Sequence, residues 1–312
     1  MKLLLTGASS FTGYWFARAL ADAGHTVIAP LLGTVKGYTG VRGERVKSLA
    51  EFAEVVEECP FGSDAFRDAI EGLQVDLLCH HAALVTGYRD PGFDILNALS
   101  NNTERFDEVL NWLEADKFKG VLLTGSVFEQ DEGAGDAPRD AFSTYGMSKT
   151  LTSQLVAYIC RSSGVPFHKF VIPNPFGPYE ERKFTSYLVQ TWQRGETASV
   201  KTPDYVRDNI HVDLLALAYA RFVSEIGNGT AKTKINPSGY VSTQADFARR
   251  FSSEIGRRLG LECPLDLPLQ SDFSEPIIRI NTDSARHYVE QWDEERAWDR
   301  LAEHYRSGDA IR

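Results

Sequence analysis

The chain has 312 residues and 43% hydrophobic side chains, enough for one large or two moderate domains with a sizeable core. Its formal charge of −10 argues against a nucleic-acid partner, since sequence-independent binding needs a basic face. Four widely spaced cysteines indicate free thiols, and no apolar run approaches the roughly 18 residues of a membrane span, so we expect a cytoplasmic protein without a membrane partner.

The first element is a buried strand, Lys2–Thr6, followed by a turn over residues 7–13 and a helix to about Ala23. A second strand follows at Thr26–Ala29, which completes a βαβ opening. Such a turn directs backbone N–H groups and a helix N-terminus at a pyrophosphate. The context favours dinucleotide binding over a purely structural turn. The cofactor-binding candidates here are Gly7, Ser9, Ser10, Phe11, Thr12 and Gly13.

The end of the second strand bears on the choice between NAD and NADP. Dinucleotide folds that bind NAD place an acid there, whereas this chain has residues 30–33 as Pro-Leu-Leu-Gly. Lys36, Tyr38 and Arg42 follow in what we predict to be a loop, where they would meet the extra phosphate of NADP or simply be solvated. The cofactor is therefore NAD or NADP, with a lean to NADP and Lys36 as a candidate ligand.

Further strands are predicted at 75–80, 120–124 and 167–172, with helices at about 64–72, 97–115 and 145–163 between them. The alternation predicts an α/β fold: a Rossmann-type, doubly wound parallel sheet with a smaller, mixed C-terminal substrate lobe. We expect residues 1–173 to form the dinucleotide-binding domain, with about 207–235 packing back onto it, and 174–312 to form the lobe. That lobe contains helices at about 184–194, 212–225, 243–259 and 292–305.

Polar or small residues follow the carboxyl ends of four predicted strands, at Gly7, Ala82, Ser126 and Asn174. Ligands of parallel sheets bind beyond these ends, so we expect the four positions to converge on one edge. His80, His81 and His211 lack any accompanying set of residues at metal-ligand spacing, so no metal site is predicted.

Tyr145 and Lys149 lie four residues apart at the start of a predicted helix, on one face of it. To act as a base near neutral pH, a tyrosine needs its pKa lowered by roughly 3 units, or about 4 kcal/mol. A lysine charge about 5 Å away supplies roughly 3 kcal/mol at an effective dielectric near 20. The spacing also fits an ordinary amphipathic helix. Ser126, if it reaches the same point, would hold the substrate oxygen.

These residues together resemble the extended short-chain dehydrogenase/reductase family of NAD-dependent, nucleotide-sugar-modifying epimerases, dehydratases and ketoreductases. The resemblance covers nearly the whole chain. It rests on Thr6-Gly7-x-x-Ser10-x-x-Gly13, His81-Ala82-Ala83, Asn101-Asn102-Thr103, Ser126, Tyr145-x-x-x-Lys149, residues 174–178 as Asn-Pro-Phe-Gly-Pro, and residues 206–213 as Val-Arg-Asp-Asn-Ile-His-Val-Asp.

The resemblance implies catalytic roles for Tyr145 as acid/base, for Lys149 on the nicotinamide ribose, and for Ser126 on the reacting sugar oxygen. It implies that Asn174 and Arg207 contact the nucleotide-sugar substrate, with Arg207 on its diphosphate. The structural alternatives are that Ser126 caps a turn, that Asn174 fixes the bend of the proline-rich segment, and that Arg207 forms a local ion pair with Asp208. It adds cofactor contacts from His81, Ala82, Ala83, Asn102, Thr124 and Pro173. Similar proteins form homodimers through the helices here predicted at 97–115 and 145–163.

Two departures from the family pattern stand out. Ser10 replaces a usual glycine, where its hydroxyl would crowd or bond the pyrophosphate. The segment after Ser126 is short: aligning by the strand selects Ser126 as the active hydroxyl, whereas aligning by Phe128 selects Thr124. We prefer Ser126 because the strand end sets the position of the site.

The predicted reaction is hydride transfer at a sugar carbinol or ketone, by a 4-epimerase or a 4-ketoreductase. A 4,6-dehydratase ranks last, because its relatives place acids directly after the active hydroxyl, where this chain has Val127 and Phe128. The missing acid after the second strand favours the reductase, and the Asn174 and Arg207 motifs favour the epimerase. A non-catalytic NADP-binding sensor or scaffold is the alternative from a different class.

Overall fold

The computed structural model describes residues 1–113 and 117–307. The strands, numbered in chain order, are β1 (Lys2–Thr6), β2 (Thr26–Pro30), β3 (Glu54–Val56), β4 (Leu77–His80), β5 (Val121–Ser126), β6 (Ala134–Gly135), β7 (Phe167–Ile172), β8 (Asn174–Phe176), β9 (Ala198–Ser199), β10 (Val206–His211), β11 (Lys234–Ile235), β12 (Pro237–Ser238), β13 (Tyr240–Thr243), β14 (Leu265–Asp266), β15 (Ile278–Ile280) and β16 (Asp283–Ser284). The helices are α1 (Phe11–Asp22), α2 (Gly40–Leu49), α3 (Asp64–Ile70), α4 (Ile95–Asn102), α5 (Phe106–Trp112), α6 (Thr144–Ser162), α7 (Phe184–Gln193), α8 (Val212–Asn228), α9 (Gln244–Leu259), α10 (Ala285–Tyr288) and α11 (Glu294–Arg306), with a 3₁₀ turn at Val35–Gly37.

Seven strands form one parallel sheet in the order β11-β7-β5-β4-β1-β2-β3. The order reverses at β1, where the chain winds first toward β3 and then toward β11. This topology confirms the predicted Rossmann-type α/β class. The carboxyl ends of β1, β4 and β5 are adjacent, which is where such sheets bind ligands.

Both faces of the sheet are covered by helices, and alternate side chains of β1 enter different cores. Leu3 and Leu5 face α1 and α8, whereas Leu4 faces α3, α5 and α6. The rings of Phe16 on α1 and Tyr219 on α8 stack at 4.0 Å between centroids. Burying each such aromatic side chain stabilises the fold by roughly 2–3 kcal/mol. The segment 212–228 therefore packs on the first sheet, and β11 extends that sheet beside β7.

The predicted helix at 97–115 consists instead of two helices, α4 and α5, and residues 114–115 lie outside the described part of the chain. The chain turns at Arg105, whose φ of 46° is in the left-handed region. Its guanidinium pairs with Asp64 at 2.9 Å and with Glu108 at 2.6 Å. The break thus depends on a partner some forty residues away in sequence, which helical periodicity does not reveal.

A second sheet has the order β13-β10-β15-β6, with β8 beside β10, and two short two-stranded sheets, β12-β16 and β14-β9, lie outside it. Its core is aromatic, with Phe176, Trp192, Phe247, Phe251 and Trp298 as the large members. Residues 207–235 divide between the two sheets, since β10 belongs to the second. The domain boundary at 173/174 stays a prediction. None of the helices in residues 1–113 and 117–307 has the length and apolarity of a membrane span.

Candidate active site

A cavity of about 730 Å³ lies at the carboxyl ends of β1, β4 and β5. Most of the predicted site residues line it: Gly7, Ser9, Ser10, Phe11, Thr12, His81, Ala82, Ala83, Asn102, Thr124, Ser126, Tyr145, Lys149 and Pro173. The structure therefore brings residues from six separated segments of the chain to one place. The volume of the cavity is within the range of pockets that bind cofactors and drug-sized ligands.

The turn after β1 is shaped by two close backbone approaches. Gly7 has a φ of 73°, and a Cβ atom there would lie 2.8 Å from the amide nitrogen of Ala82. A Cβ atom on Gly13 would overlap the carbonyl oxygen of Gly7. Both positions therefore require glycine, and the N-terminus of α1 opens onto the cavity. This cradle fits the pyrophosphate of a dinucleotide.

Ser10 begins α1 as its N-cap, and its Oγ accepts a hydrogen bond of 3.1 Å from the Gly13 N–H. The same oxygen lies 3.1 Å from Nε2 of His81, which is also 3.0 Å from Oγ1 of Thr12. The Ser10 hydroxyl thus has two protein partners, in a role that the sequence analysis did not foresee. Burial lowers the pKa of His81 to about 3, and the nearby Lys149 acts in the same direction, so the imidazole is neutral at physiological pH.

His80, the last residue of β4, lines the cavity and joins this strand to β1 and α4. Its Nε2 is 2.9 Å from the carbonyl oxygen of Asn102, and its Nδ1 is 3.2 Å from Oγ1 of Thr6. No group of three or more histidine, cysteine, aspartate or glutamate side chains suited to a metal occurs in residues 1–113 and 117–307. His80 and His81 together connect the end of β4 to the glycine turn after β1.

Arg42 lines the cavity beside the end of β2, on helix α2 rather than in the expected loop. Its Nη2 and Nε donate to Oγ of Ser9 at 2.7 and 3.2 Å, and its guanidinium lies over the Tyr38 ring at 5.0 Å. Lys36 is exposed in the 3₁₀ turn and does not line the cavity. The cation that faces this end of the site is therefore Arg42.

Ser126 is the last residue of β5 and faces the cavity with a side chain that is largely buried. Its Oγ accepts a hydrogen bond of 3.2 Å from the Phe128 N–H, and its own N–H donates to Oε1 of Glu129 at 2.7 Å. Thr124, two residues earlier on the strand, also lines the cavity, and its carbonyl oxygen accepts from Lys149 Nζ at 2.7 Å. Both candidate residues thus line the cavity, but the hydroxyl oxygen of Thr124 is itself fully buried.

Tyr145 and Lys149 are on the first turns of α6, whose N-cap is Ser143. The Tyr145 ring meets Tyr88 edge-on at 5.3 Å and Phe93 at 6.4 Å. Burial raises the pKa of Tyr145, and Glu129 and Tyr88 raise it further. Burial also lowers the pKa of Lys149. The lowered tyrosine pKa expected from the sequence is therefore absent in the protein alone, and the phenol is protonated at neutral pH.

Asn174 and Arg207 are not among the residues that line the cavity. The Asn174 side chain donates to the carbonyl oxygen of Asp208 at 3.3 Å, where β8 joins β10. Arg207 donates to the carbonyl oxygens of Pro276 and Ile277 at 3.0 and 3.1 Å and pairs with Glu275 at 2.8 Å. Both side chains therefore bond to residues in or beside the second sheet.

The cavity also contains residues that the sequence analysis did not assign. Tyr88 and Arg89 come from the loop after β4, and Arg182 and Lys183 come from the segment before α7. The latter pair follows the Asn-Pro-Phe-Gly-Pro motif by only a few residues, which was the available signal. With Arg42 and Lys149, the residues Arg89, Arg182 and Lys183 make five basic side chains around the cavity, whose lining also includes Asp90 and Glu181.

The family model described as "NAD dependent epimerase/dehydratase family" matches residues 3–236. The chain belongs to this family. The assignment confirms the family and the enzyme class predicted from the sequence, and it supports NAD or NADP as the cofactor. No curated protein sequence gives a significant match to this epimerase/dehydratase family member.

Solved structures share the fold along the full length of the chain. UDP-glucuronic acid 4-epimerase from Bacillus cereus, in complex with UDP-glucuronic acid and NAD, is 17% identical, has a TM-score of 0.74, and is matched over 98% of this chain and 99% of its own. UDP-glucose-4-epimerase from Stenotrophomonas maltophila, with bound NAD and formylated UDP-arabinopyranose, is 18% identical with a TM-score of 0.74 over 100% of both chains. UDP-glucose 4-epimerase from Thermotoga maritima, with UDP-glucose, is 17% identical with a TM-score of 0.70 over 99% of each.

Proposed function

We propose that this protein transfers hydride between NAD(P) and the carbinol or ketone carbon of a nucleotide sugar, as a 4-epimerase or a 4-ketoreductase. One observation carries the proposal: Tyr145, Lys149 and Ser126 line the same cavity as the glycine turn. A base, a cation and a hydroxyl donor are what an alcohol oxidation needs beside its hydride acceptor. The family assignment and the 4-epimerase neighbours support the same chemistry.

In the proposed mechanism, a dinucleotide held with its pyrophosphate at the Gly7 turn would supply the hydride acceptor or donor for the sugar carbon. Tyr145 Oη takes the proton from the sugar hydroxyl in oxidation and returns it to the ketone oxygen in reduction. The Ser126 hydroxyl donates a hydrogen bond to that oxygen and orients it. The Lys149 ammonium, 2.7 Å from the Thr124 carbonyl oxygen, supplies the positive charge that favours phenolate.

The protonation state of Tyr145 favours one direction of this chemistry in the protein alone. Because burial and Glu129 raise the pKa of Tyr145, the neutral phenol is the resting form. A neutral phenol can donate a proton to a ketone, whereas oxidation first requires its deprotonation. Positive charge near the phenol, from Lys149 and from an oxidised nicotinamide, lowers this cost.

For the cofactor we propose NADP, recognised through Arg42. The residues at the end of β2 include no carboxylate that would repel a 2′-phosphate, and Pro30 and Leu32 line the cavity there. Arg42 presents a planar guanidinium suited to bidentate phosphate binding. The two neighbouring epimerases contain NAD, so the cofactor subtype is the point at which this chain would differ.

The proposed substrate is a nucleotide sugar, with UDP as the first nucleotide to test, because the neighbours bind UDP-sugars. Arg89, Arg182 and Lys183 at the cavity supply positive charge for a diphosphate. Asn174 and Arg207 remain proposed substrate contacts, although Arg207 would have to exchange its bond to Glu275 for one to phosphate. A 4,6-dehydratase is disfavoured, because Glu129, the first acid after Ser126, faces Lys169 and does not line the cavity.

A cytoplasmic homodimer formed through α4 and α6 is also proposed. Leu96 and Tyr158 on these helices are 74% and 58% exposed, and Leu155 is exposed at 36%. Large apolar side chains on one side of two contacting helices are typical of a subunit interface.

Cofactor analysis and a substrate panel test the proposal. Mass spectrometry of the ligand released from the purified protein comes first, followed by trials with UDP-, GDP-, CDP- and dTDP-sugars. Tightly retained NAD together with interconversion of two UDP-sugars indicates a 4-epimerase. An empty site that fills with NADPH, together with oxidation of NADPH by a keto sugar, indicates the reductase. Dinucleotide binding with no turnover of any sugar would contradict both and favour the sensor.

A further inference from the structure

Glu129 lies three residues after Ser126 and is 1% exposed. Its Oε1 accepts a hydrogen bond of 2.7 Å from the Ser126 N–H, while the Glu129 N–H donates to the Ser126 carbonyl oxygen at 3.0 Å. The carboxylate therefore closes a tight turn around the residue that carries the active hydroxyl. A buried carboxylate must have compensating partners, and those partners lie behind the strand.

Lys169 on β7 is the main partner, with its Nζ 2.5 Å from Oε2 of Glu129 and 2.7 Å from Oε1 of Glu132. Burial acts to lower the pKa of Lys169, but the two carboxylates outweigh it and the net pKa is raised. The lysine thus stays charged. Glu132 is held in turn by Lys234 at 2.8 Å and by the Asn236 amide at 3.1 Å.

Gly125 provides the space for this ion pair. A Cβ atom at this position would lie 2.5 Å from Lys169 Cε and 2.9 Å from Oε1 of Glu129. Gly125 lies on β5 between the two candidate hydroxyl residues, Thr124 and Ser126. Because it has no side chain, the Glu129–Lys169 ion pair can lie directly behind the strand at this point. The ion pair and the end of β5 are therefore packed as one unit.

The carboxylate of Glu129 also acts on both titrating residues of the site. It raises the pKa of Tyr145 and acts to raise the pKa of Lys149, which Lys169 acts to lower. Charged and titratable groups face this region from several elements: Tyr88 and Arg89 after β4, His80 and His81 at its end, Tyr145 and Lys149 on α6, Lys169 on β7, Glu132, and Arg279 on β15. Arg279 also donates a hydrogen bond of 3.3 Å to the Glu129 carbonyl oxygen.

We propose that Glu129, with Lys169 as its counter-ion, is a positioning residue that fixes the backbone at Ser126 and sets the electric field in which Tyr145 exchanges its proton. This inference rests on the proposed function, because it assigns Glu129 to the same hydride-transfer site. It goes beyond a structural ion pair, because the Glu129 carboxylate bonds the backbone N–H of Ser126 itself.

Glu129→Gln is the principal test, because glutamine keeps an oxygen for the Ser126 N–H and removes the negative charge. In the oxidation direction, the acidic limb of the kcat profile should move to lower pH by about one unit. The uncompensated Lys169 charge acts in the same direction. Glu129→Ala, which also removes the acceptor for the Ser126 N–H, should have a kcat about tenfold lower than that of Glu129→Gln, with little change in KM.

Glu132→Gln is the matched control, because it removes a carboxylate from the same Lys169 without touching Ser126. It should reduce stability and leave the limb unmoved. An equal shift in both variants, or none in Glu129→Gln, would overturn the inference. If Glu129→Gln does not fold, the double variant Glu129→Gln with Lys169→Met removes both buried charges together, and it should show a smaller shift of the same sign.

A spectroscopic titration separates this inference from the proposed function. The ultraviolet absorbance of tyrosinate, recorded with oxidised dinucleotide bound and taken as the difference between a protein and its Tyr145→Phe counterpart, reports the ionisation of Tyr145 without any sugar. Glu129→Gln should lower the pH at which this signal appears. Absence of sugar turnover in the wild type would contradict the proposed function alone, whereas an unchanged Tyr145 titration would contradict the role of Glu129.

Discussion

The guanidinium of Arg42 donates two hydrogen bonds to the Ser9 hydroxyl, at 2.7 and 3.2 Å, and so joins helix α2 to the glycine turn. Substitution Arg42→Ala should weaken NADPH binding by about tenfold to a hundredfold, because hydrogen bonds to a charged group contribute roughly 1.5–3 kcal/mol. NADH binding should change much less. Fluorescence titration with both nucleotides provides the measurement.

Lys36→Ala is the control for that experiment, since Lys36 lies in the same region but is exposed and outside the cavity lining. Its affinity for NADPH should match that of the wild type. A selective loss in Lys36→Ala, with Arg42→Ala unaffected, would return the 2′-phosphate site to the residue first chosen from the sequence.

Tyr145→Phe tests the proposed proton carrier. The variant keeps the ring contacts with Tyr88 and Phe93, so dinucleotide binding should be retained. Turnover should fall by about a hundredfold to ten-thousandfold, the usual contribution of a general acid or base. Steady-state kinetics on an active substrate are the measurement. Tyr88→Phe is the matched control with a neighbouring phenol, and similar rates for Tyr145→Phe and wild type would eliminate the assignment.

Ser10 should contribute more to folding than to ligand binding. Because it caps α1, Ser10→Ala should lower the free energy of unfolding by about 1 kcal/mol, and Ser10→Gly by only a few tenths. Ser10→Gly should bind dinucleotide at least as tightly as the wild type. Ser63→Ala removes the equivalent cap of α3 and should cost similar stability with unchanged affinity. Calorimetric titration of the three variants tests this, and a large affinity loss in Ser10→Gly would show that the hydroxyl is a cofactor ligand.

Glu180 should make the stability of the protein depend on pH. Burial raises its pKa to about 7, well above its ordinary value of 4.5, and Thr185 is its hydrogen-bond partner. Because the folded state favours the protonated form, this contribution is complete below about pH 4.5 and is lost as the pH rises through 7.

Glu180→Gln should therefore stabilise the protein at pH 8 by about 1–3 kcal/mol and have little effect at acidic pH. Thermal unfolding at several pH values provides the measurement. Glu196→Gln alters an exposed pair with Arg194 and should change little at either pH. An equal Tm for Glu180→Gln and wild type at pH 8 would refute the idea.

The local patterns of the sequence predicted the sheet and most of the cavity. The Gly7 turn, the end of β5 at Ser126 and the Tyr145 face of α6 depend on residues close in sequence, and all three are where the pattern indicated. The break at Arg105 and the hydrogen bonds of Arg207 depend on distant partners, Asp64 and residues 275–277. Such contacts follow only from the folded topology.

The electrostatics of the site were the least predictable part. The spacing of Tyr145 and Lys149 predicts a lowered tyrosine pKa, whereas burial and the Glu129 carboxylate raise it. Burial is a property of the whole packing arrangement. A carboxylate three residues after the active hydroxyl gives no sign in the sequence that it faces a lysine forty residues later.

The stacked rings of Phe16 and Tyr219 join α1 to a helix that comes after residue 173. The chain leaves the first sheet after β7, forms part of the second lobe, and returns with α8 and β11 to cover Phe16 and Phe170. A fragment that stops at residue 173 would expose these rings and an unpaired edge of β7 to solvent, which favours aggregation. Residues 1–173 therefore lack part of their own core when they are produced without the rest of the chain.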